Sequence, residues 1–108
     1  IWHQQLQFID HGASLYVHHN WKTADLTTVS AFPPIREHIL LPWASQMEKA
    51  DQIAHEKLNA DVFASILEQV PEQWLFSKKS AYVDFLTKRL NASGNFTQEA
   101  AKAHAALI

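Results

Sequence analysis

The sequence has no cysteine, only two glycines, and no hydrophobic run long enough to cross a membrane. The lack of cysteine excludes disulfides, thiolate metal ligands and thiol catalysis. A membrane-spanning helix needs about 20 consecutive apolar residues, and no segment approaches that length. The opening residues, Ile-Trp-His-Gln, also lack the basic stretch and apolar core of a signal peptide. We therefore expect a cytoplasmic protein with no membrane partner.

Basic residues are few and scattered. The formal net charge is −2, from nine Lys and Arg against eleven Asp and Glu. Nucleic acids and anionic membrane surfaces are bound by clusters of positive charge. No such cluster stands in the sequence, so we expect no nucleic-acid partner.

Large apolar side chains, in contrast, are plentiful. The chain has 108 residues, 47% of them hydrophobic, and includes four Trp, six Phe and two Tyr. This composition is sufficient for one hydrophobic core, and the length corresponds to one domain or part of one. Because the first residue is Ile rather than Met, we expect residues 1–108 to be a fragment of a longer protein.

The first twelve residues have the pattern of a β-hairpin. The polar pair Gln4-Gln5 is flanked on both sides by residues that favour strands, namely Ile1, Trp2, Phe8 and Ile9. This arrangement predicts two short strands joined by a tight turn within residues 1–12. Residues 13–108 are predicted to form a bundle of four to six helices. The expected fold class is therefore mainly α, with an N-terminal hairpin.

Proline interrupts the first part of the helical region. Residues 13–21 suggest a short helix, and residues 22–34, which are rich in Thr, Asp and Ser, suggest a loop. Pro34 can serve as the first residue of a helix that Pro42 ends or kinks. The predicted apolar face of this helix consists of Ile35, Ile39 and Leu40.

The second half of the chain has apolar residues at helical spacing. Residues 44–58 form one such stripe, and a further helix follows with Asp61 as its N-cap. Pro71 ends that helix and opens a single turn, after which Ser77 or Ser80 caps another helix. The predicted packing residues of these three helices are Met47, Ala50, Ile53, Ala54, Leu58, Val62, Phe63, Ile66, Leu67, Val70, Tyr82, Val83, Phe85, Leu86 and Leu90.

Two residues mark the predicted start of a final helix. Gly94 lies beyond the preceding helix, at a position where a left-handed residue is often required. Thr97 is the predicted N-cap of the last helix. This helix is rich in Ala and has little apolar bulk, so we expect it to pack on the surface of the bundle.

Asp10 is the candidate residue for cation chemistry. It ends the second predicted strand and is followed closely by Gly12, whose conformational freedom lets the backbone turn. Mg²⁺ prefers oxygen ligands, commonly one or two carboxylates together with substrate phosphates. Judged by residue types alone, the same pattern also fits Asp10 as a turn-forming or helix-capping residue.

Three strings of residues resemble a known family. The first is Ile9-Asp10-His11-Gly12-Ala13 with the following His18-His19-Asn20-Trp21, and the others are FPPIREHILLPWAS and AYVDFLTKRL. Together they resemble the C-terminal portion of bacterial HipA-like kinases, from Trp2 to about Ala100. The first string carries most of the resemblance, because the later two are general helical patterns.

The resemblance implies an ATP- and Mg-dependent kinase that transfers phosphate to a protein or small substrate. Asp10 would correspond to the metal-binding aspartate of the kinase Asp-Phe-Gly element, and Gly12 matches its glycine. His11 occupies the Phe position and departs from the pattern, which puts any packing switch at that residue in doubt.

The other kinase elements are missing from this sequence. Two distant glycines cannot form the glycine-rich loop, and the catalytic Asp and metal-binding Asn would lie before Ile1. The resemblance therefore implies that this fragment contains no catalytic residue and is inactive alone. It would pack against the missing N-terminal part of the kinase domain, and ATP and an unidentified phosphoacceptor would bind only the full-length parent.

Histidines are concentrated near the N-terminus, at His3, His11, His18 and His19. Zinc sites use defined spacings such as an i, i+4 pair on a helix, and the adjacent His18-His19 pair lacks such a spacing. We therefore expect structural or solvent-facing histidines rather than a zinc site. One of them could hydrogen-bond Asp10 and support its metal-binding role.

A non-catalytic helical interaction module is the alternative function. Trp and Phe side chains would then form a docking face, with an exposed apolar patch on the order of several hundred Å². Such a function would not depend on Asp10.

Overall fold

The computed structural model describes residues 3–8, 15 and 21–107 of the chain. Five α-helices form the body of this part. They are α1 (Ala24–Thr28), α2 (Met47–Lys57), α3 (Ala60–Glu68), α4 (Lys79–Asn91) and α5 (Gly94–Ala105). Short 3-10 helices lie between them, at Trp21–Thr23, Pro33–Glu37, Leu41–Trp43 and Glu72–Trp74. The prediction of a mainly helical chain is confirmed.

The predicted N-terminal hairpin is not formed in its described portion, residues 3–8. His3 and Gln4 make a turn with φ angles of 49° and 62°, and only one isolated bridge residue follows it. Leu6 and Phe8 are exposed, so no apolar layer supports strands there, and an unsupported hairpin is only marginally stable. The other predicted hairpin positions lie outside the described residues.

The segment predicted as a loop, residues 22–34, contains helix α1 instead. Its sequence, Ala-Asp-Leu-Thr-Thr, is only five residues long and ends in two threonines, so it is a weak helix on its own. Tertiary contacts stabilise it, because Arg89 on α4 donates hydrogen bonds to the carbonyl oxygens of Thr27 and Ser30 at 3.0 and 2.6 Å. Carbonyls at a helix C-terminus lack partners within the helix. These long-range donors therefore explain a helix that local sequence does not predict.

The helix predicted from Pro34 onward is replaced by two short 3-10 helices. Ile39 and Leu40, predicted to share an apolar face, are both exposed, whereas Leu41 is buried. A proline inside an α-helix removes a hydrogen bond and clashes with the preceding turn. Pro42 therefore prevents a continuous helix from forming here.

Helices α2 and α3 form where predicted, but their apolar stripes are only partly covered, because α2 has no buried residue and Ile53 and Ile66 are exposed. The N-cap of α3 also differs from the prediction. The side chain of Asn59 accepts a hydrogen bond from the backbone N–H of Val62 at 2.9 Å. Asp61, the predicted cap, lies within the first turn of the helix. The capping residue is therefore two positions earlier than expected, because Asn59 has the extended backbone that a cap requires.

The single turn predicted after Pro71 is present as the 3-10 helix Glu72–Trp74. The next predicted helix is confirmed as α4. Neither Ser77 nor Ser80 caps it, because the residue before α4 is Lys78, which makes no side-chain capping bond.

The boundary between α4 and α5 lies earlier than predicted. Gly94 is the first residue of α5 and does not have the predicted left-handed backbone. Thr97, the predicted N-cap, is buried inside α5, and its N–H donates to the carbonyl of Ser93 at 3.0 Å. The α4 helix turns directly into α5 through Ala92 and Ser93, so no separate loop or cap is needed. The final helix also contributes Ala100 to the buried core.

The core lies where α4 and α5 meet the other elements. α4 packs against α1 and α3, and α5 packs against α2 and the 3-10 helix Pro33–Glu37. The buried apolar side chains are Leu41, Phe63, Leu67, Tyr82, Phe85 and Ala100. Among the described helices, none combines the length and apolar composition needed to cross a membrane.

Candidate functional site

The predicted metal-binding residue, Asp10, lies outside the described residues. The same is true of the four predicted supporting residues, His11, Gly12, His18 and His19. Their arrangement around a magnesium ion therefore stays a prediction. In the part of the chain that the structure describes, no group of three or more His, Asp and Glu side chains could hold a metal ion.

Trp21 ends the first resembling string and packs on α4. Its ring meets Tyr82 edge-on with the centroids 4.6 Å apart, and it meets Phe85 edge-on at 6.4 Å. Each such aromatic pair contributes about 0.5–1.5 kcal/mol of stabilisation in addition to the hydrophobic free energy of burying the rings. Within the described residues, the indole Nε1 is buried without a hydrogen-bond partner, so packing rather than polar contact holds the ring there. This packing fixes Trp21 against α4.

Arg89, in the last turn of α4, is held by backbone and ring contacts. Its Nη1 donates hydrogen bonds to the carbonyl oxygens of Thr27, Thr28 and Ser30, at 3.0, 3.4 and 2.6 Å. The guanidinium carbon lies 4.3 Å from the centre of the Phe96 ring, a cation–π contact. Burial lowers the pKa of the guanidinium from its ordinary value, but an arginine remains charged at neutral pH.

No carboxylate pairs with Arg89 in the described part of the chain. Asp25 pairs with Lys88 at 3.1 Å, and Glu99 pairs with Arg36 at 2.9 Å. The carbonyls at the C-terminal end of α1 favour a nearby cation, but they are dipoles and do not neutralise it. The Nε and Nη2 atoms of Arg89 make no hydrogen bond within the described residues. Two guanidinium nitrogens, which together carry three N–H donors, therefore remain available to another acceptor.

An apolar cavity of about 560 Å³ lies beside this guanidinium. Its lining includes Arg89, the rings of Phe32, Phe85 and Phe96, and the side chain of Leu86. Small-molecule sites typically have volumes of about 300–1,000 Å³ and combine a mainly hydrophobic lining with a few polar groups. This cavity, with one cation in its wall, is the candidate binding site of the described structure.

A second apolar cavity, about 460 Å³ in volume, is lined by residues from α2, α3, α4 and α5. A polar group of three side chains stands at its edge. The His55 Nε2 atom lies 2.8 Å from the Ser93 Oγ atom and 3.7 Å from the Asp51 Oδ1 atom. The residue types are those of a serine-hydrolase triad.

The geometry does not fit a serine nucleophile. In a catalytic triad, serine and aspartate contact opposite nitrogens of the histidine ring, so that the ring can pass a proton. Here Ser93 and Asp51 approach the same nitrogen, and Ser93 is only 1% exposed. We conclude that the three side chains join α2 to the α4–α5 turn structurally.

Neither Arg89 nor the His55–Ser93 pair could be identified from the sequence. Arg89 is 59 residues from Ser30, and His55 is 38 residues from Ser93. No local spacing encodes contacts over such distances. A basic residue in the last turn of a helix ordinarily indicates a solvated side chain or a favourable interaction with the helix dipole.

No protein-family model, curated protein or solved structure matches this chain. A functional assignment therefore rests on the strings of residues that resemble HipA-like kinases and on the contacts described above.

Proposed function

We propose that this chain is the helical C-terminal portion of a HipA-like, ATP- and Mg-dependent kinase that transfers phosphate to a protein or small substrate. The observation that carries the proposal is the string Ile9-Asp10-His11-Gly12-Ala13 with His18-His19-Asn20-Trp21. Asp10 would hold a magnesium ion, which would supply positive charge beside the nucleotide phosphates during transfer. The isolated chain is inactive, because the other nucleotide-binding and catalytic residues belong to the remainder of the kinase domain.

Contacts between the resembling strings support this proposal. Trp21, at the end of the first string, packs on Tyr82 and Phe85 of the third. Arg89, also in the third string, donates a hydrogen bond to the carbonyl of Ser30, shortly before the second string begins. Trp21 and Ser30 therefore both contact α4, as expected for parts of a common domain.

The exposure of large aromatic side chains also supports it. Trp43 and Trp74 are 76% and 71% exposed, although tryptophan is usually well covered in folded proteins. In a complete kinase domain, the N-terminal remainder would cover part of this surface. Apolar surface of this kind commonly marks a contact with another domain or protein.

Replacement of Asp10 in the full-length kinase tests the proposal. We expect Asp10→Ala to fold normally, as judged by circular dichroism, because the substitution removes a metal ligand rather than a core residue. Transfer of labelled γ-phosphate should fall by at least about a hundredfold, the scale seen when one charge-stabilising group is lost from an active site. Retained transfer would overturn the proposed role of Asp10.

Asp25→Ala is the matched control for this experiment. The Asp25 side chain is 86% exposed and pairs with Lys88 on the surface, so its loss should leave phosphate transfer unchanged. Loss of transfer in both variants would indicate a general effect of removing negative charge, and would contradict a specific metal site at Asp10.

The gene sequence before the codon for Ile1 provides a second test. A kinase catalytic loop there would contain an Asp followed a few residues later by an Asn. If the parent sequence lacks this pair, the kinase proposal is wrong. The 108-residue chain alone should bind ATP weakly or not at all, since most phosphate contacts are expected in the remainder.

A non-catalytic helical interaction module is the second candidate, and the exposure of Trp43 and Trp74 is the observation that favours it. In that case, Trp43→Ser and Trp74→Ser should abolish binding of a partner protein with an apolar surface, while Asp10→Ala should have no effect. The kinase proposal predicts the opposite dependence on Asp10.

A further inference from the structure

We propose that the cavity beside Arg89 binds an amphiphilic carboxylate, meaning a small molecule with one carboxylate group and an apolar tail, such as a medium-chain fatty acid. None of the residues that carry this inference belongs to the magnesium site proposed at Asp10. The inference therefore stands whether or not the parent protein is a kinase.

The carboxylate is inferred from the state of the guanidinium. Arg89 carries a full positive charge, yet its described partners are three carbonyl oxygens and the face of the Phe96 ring. Nη1 makes all three hydrogen bonds, which leaves Nε and Nη2, the edge that grips a carboxylate with two parallel bonds. The carbonyls and the ring also fix the orientation of the guanidinium before a ligand binds, which lowers the entropy cost of binding.

The apolar tail is inferred from the lining of the cavity. Phe32, Phe85, Leu86 and Phe96 contribute apolar side chains, and no acidic side chain is among the described lining residues. A dianionic phosphate would need more donors than one guanidinium supplies in such surroundings. A single carboxylate with a hydrocarbon tail matches both the one cation and the apolar walls.

Titration of the 108-residue chain with octanoate, hexanoate and 1-octanol tests this inference. Isothermal calorimetry gives the affinities, and NMR shifts of the Phe96 and Leu86 protons locate the ligand. We expect octanoate to bind about fifteenfold more tightly than hexanoate, because each buried methylene contributes about fourfold. 1-Octanol should bind at least about tenfold more weakly than octanoate, because it lacks a charge-assisted hydrogen bond. Equal binding of octanol and octanoate, or no binding of octanoate, would overturn the proposal.

Two variants of the chain test the charge of Arg89 and the space in the cavity separately. Arg89→Gln removes the cation and should abolish the preference for octanoate over octanol, whereas Arg36→Gln, on the surface pair with Glu99, should leave it unchanged. Arg89 also supports α1, so Arg89→Gln is informative only if its circular dichroism shows a folded chain. Thr27→Phe keeps Arg89 and places a ring in the cavity lining, so it should abolish octanoate binding in a folded chain. Unchanged octanoate binding in either folded variant would show that the ligand site lies elsewhere.

Discussion

The Nε2 atom of His55 on α2 lies 2.8 Å from the Oγ atom of Ser93, in the turn between α4 and α5. Ser93 is 1% exposed, whereas the side chain of His55 is 43% exposed. A hydroxyl buried without a partner costs about 1–3 kcal/mol. The contact with His55 therefore satisfies the Ser93 hydroxyl and fixes the α4–α5 turn on α2.

We expect His55→Ala to destabilise the protein more than Ser93→Ala does. His55→Ala leaves the Ser93 hydroxyl buried and unpaired, so the free energy of unfolding should fall by about 2 kcal/mol. Ser93→Ala leaves a half-exposed imidazole that water can reach, so the loss should be about 1 kcal/mol. Urea denaturation monitored by circular dichroism measures both values.

The double variant and a surface serine provide the controls for this pair. Because the two side chains interact, the losses in the double variant should be less than additive by about 0.5 kcal/mol or more. Ser65→Ala removes a hydroxyl that donates to the carbonyl of Asp61 within α3, and it should change stability by less than about 0.5 kcal/mol. Strict additivity of His55→Ala and Ser93→Ala would contradict the contact.

Asn59 supports the start of α3 through its side chain. The Asn59 Oδ1 atom accepts a hydrogen bond from the N–H of Val62, one of the donors that a helix cannot satisfy internally. We expect Asn59→Ala to lower the free energy of unfolding by about 1 kcal/mol. Amide hydrogen exchange of the first turn of α3 should increase in the same variant.

Asp61→Ala is the comparison that separates the observed cap from the one that the sequence predicts. Asp61 lies in the first turn and interacts with the helix dipole, which contributes at most about 0.3–1 kcal/mol at an exposed position. Asp61→Ala should therefore lower the free energy of unfolding less than Asn59→Ala does, and this difference between the two variants should persist in high salt. A larger effect at Asp61 would mean that the cap has been assigned to the wrong residue.

Hydrophobic periodicity was sufficient to predict α2, α3 and α4. In α3 and α4 the recurring apolar face buries Phe63, Leu67, Tyr82 and Phe85, so local pattern and tertiary packing agree. In α2 the pattern predicts the helix, although none of its residues is buried. Cap positions were less predictable, because several residues near each helix start could serve as a cap. The choice between Asn59 and Asp61 depends on backbone angles that composition does not reveal.

Long-range contacts set the limit of prediction for the rest of the chain. α1 is only five residues long and ends in two threonines of low helix propensity. Its C-terminal carbonyls are satisfied by Arg89 and by Asn95, whose Nδ2 donates to the carbonyl of Val29 at 2.9 Å. The cavity beside Arg89 exists only because these distant segments meet. The metal site predicted at Asp10 remains a prediction from the sequence, since that residue lies outside the described part of the structure.

The same Arg89 contacts make a stability prediction that is independent of any ligand. Hydrogen bonds from a charged donor contribute about 1.5–3 kcal/mol, and Arg89→Gln leaves the carbonyls of Thr27 and Ser30 without this donor. We expect the free energy of unfolding to fall by about 2 kcal/mol. Hydrogen exchange of the α1 amides should increase more than that of the α3 amides, because α1 depends directly on Arg89.

Arg36→Gln is the matched control for the loss of stability expected in Arg89→Gln. The Arg36 side chain is 63% exposed, and its pair with Glu99 is a surface salt bridge that contributes about 0–1 kcal/mol. The difference in free energy of unfolding between Arg89→Gln and Arg36→Gln should be the same from about pH 5 to pH 8, because Arg89 stays charged throughout that range. Burial lowers the pKa of Arg89 in the folded state, so the folded chain loses this proton at a lower pH than the unfolded chain does. Arg89 would therefore make the free energy of unfolding rise with pH, but only under strongly alkaline conditions. Equal losses in Arg89→Gln and Arg36→Gln would show that the three carbonyl contacts do not hold α1 in place.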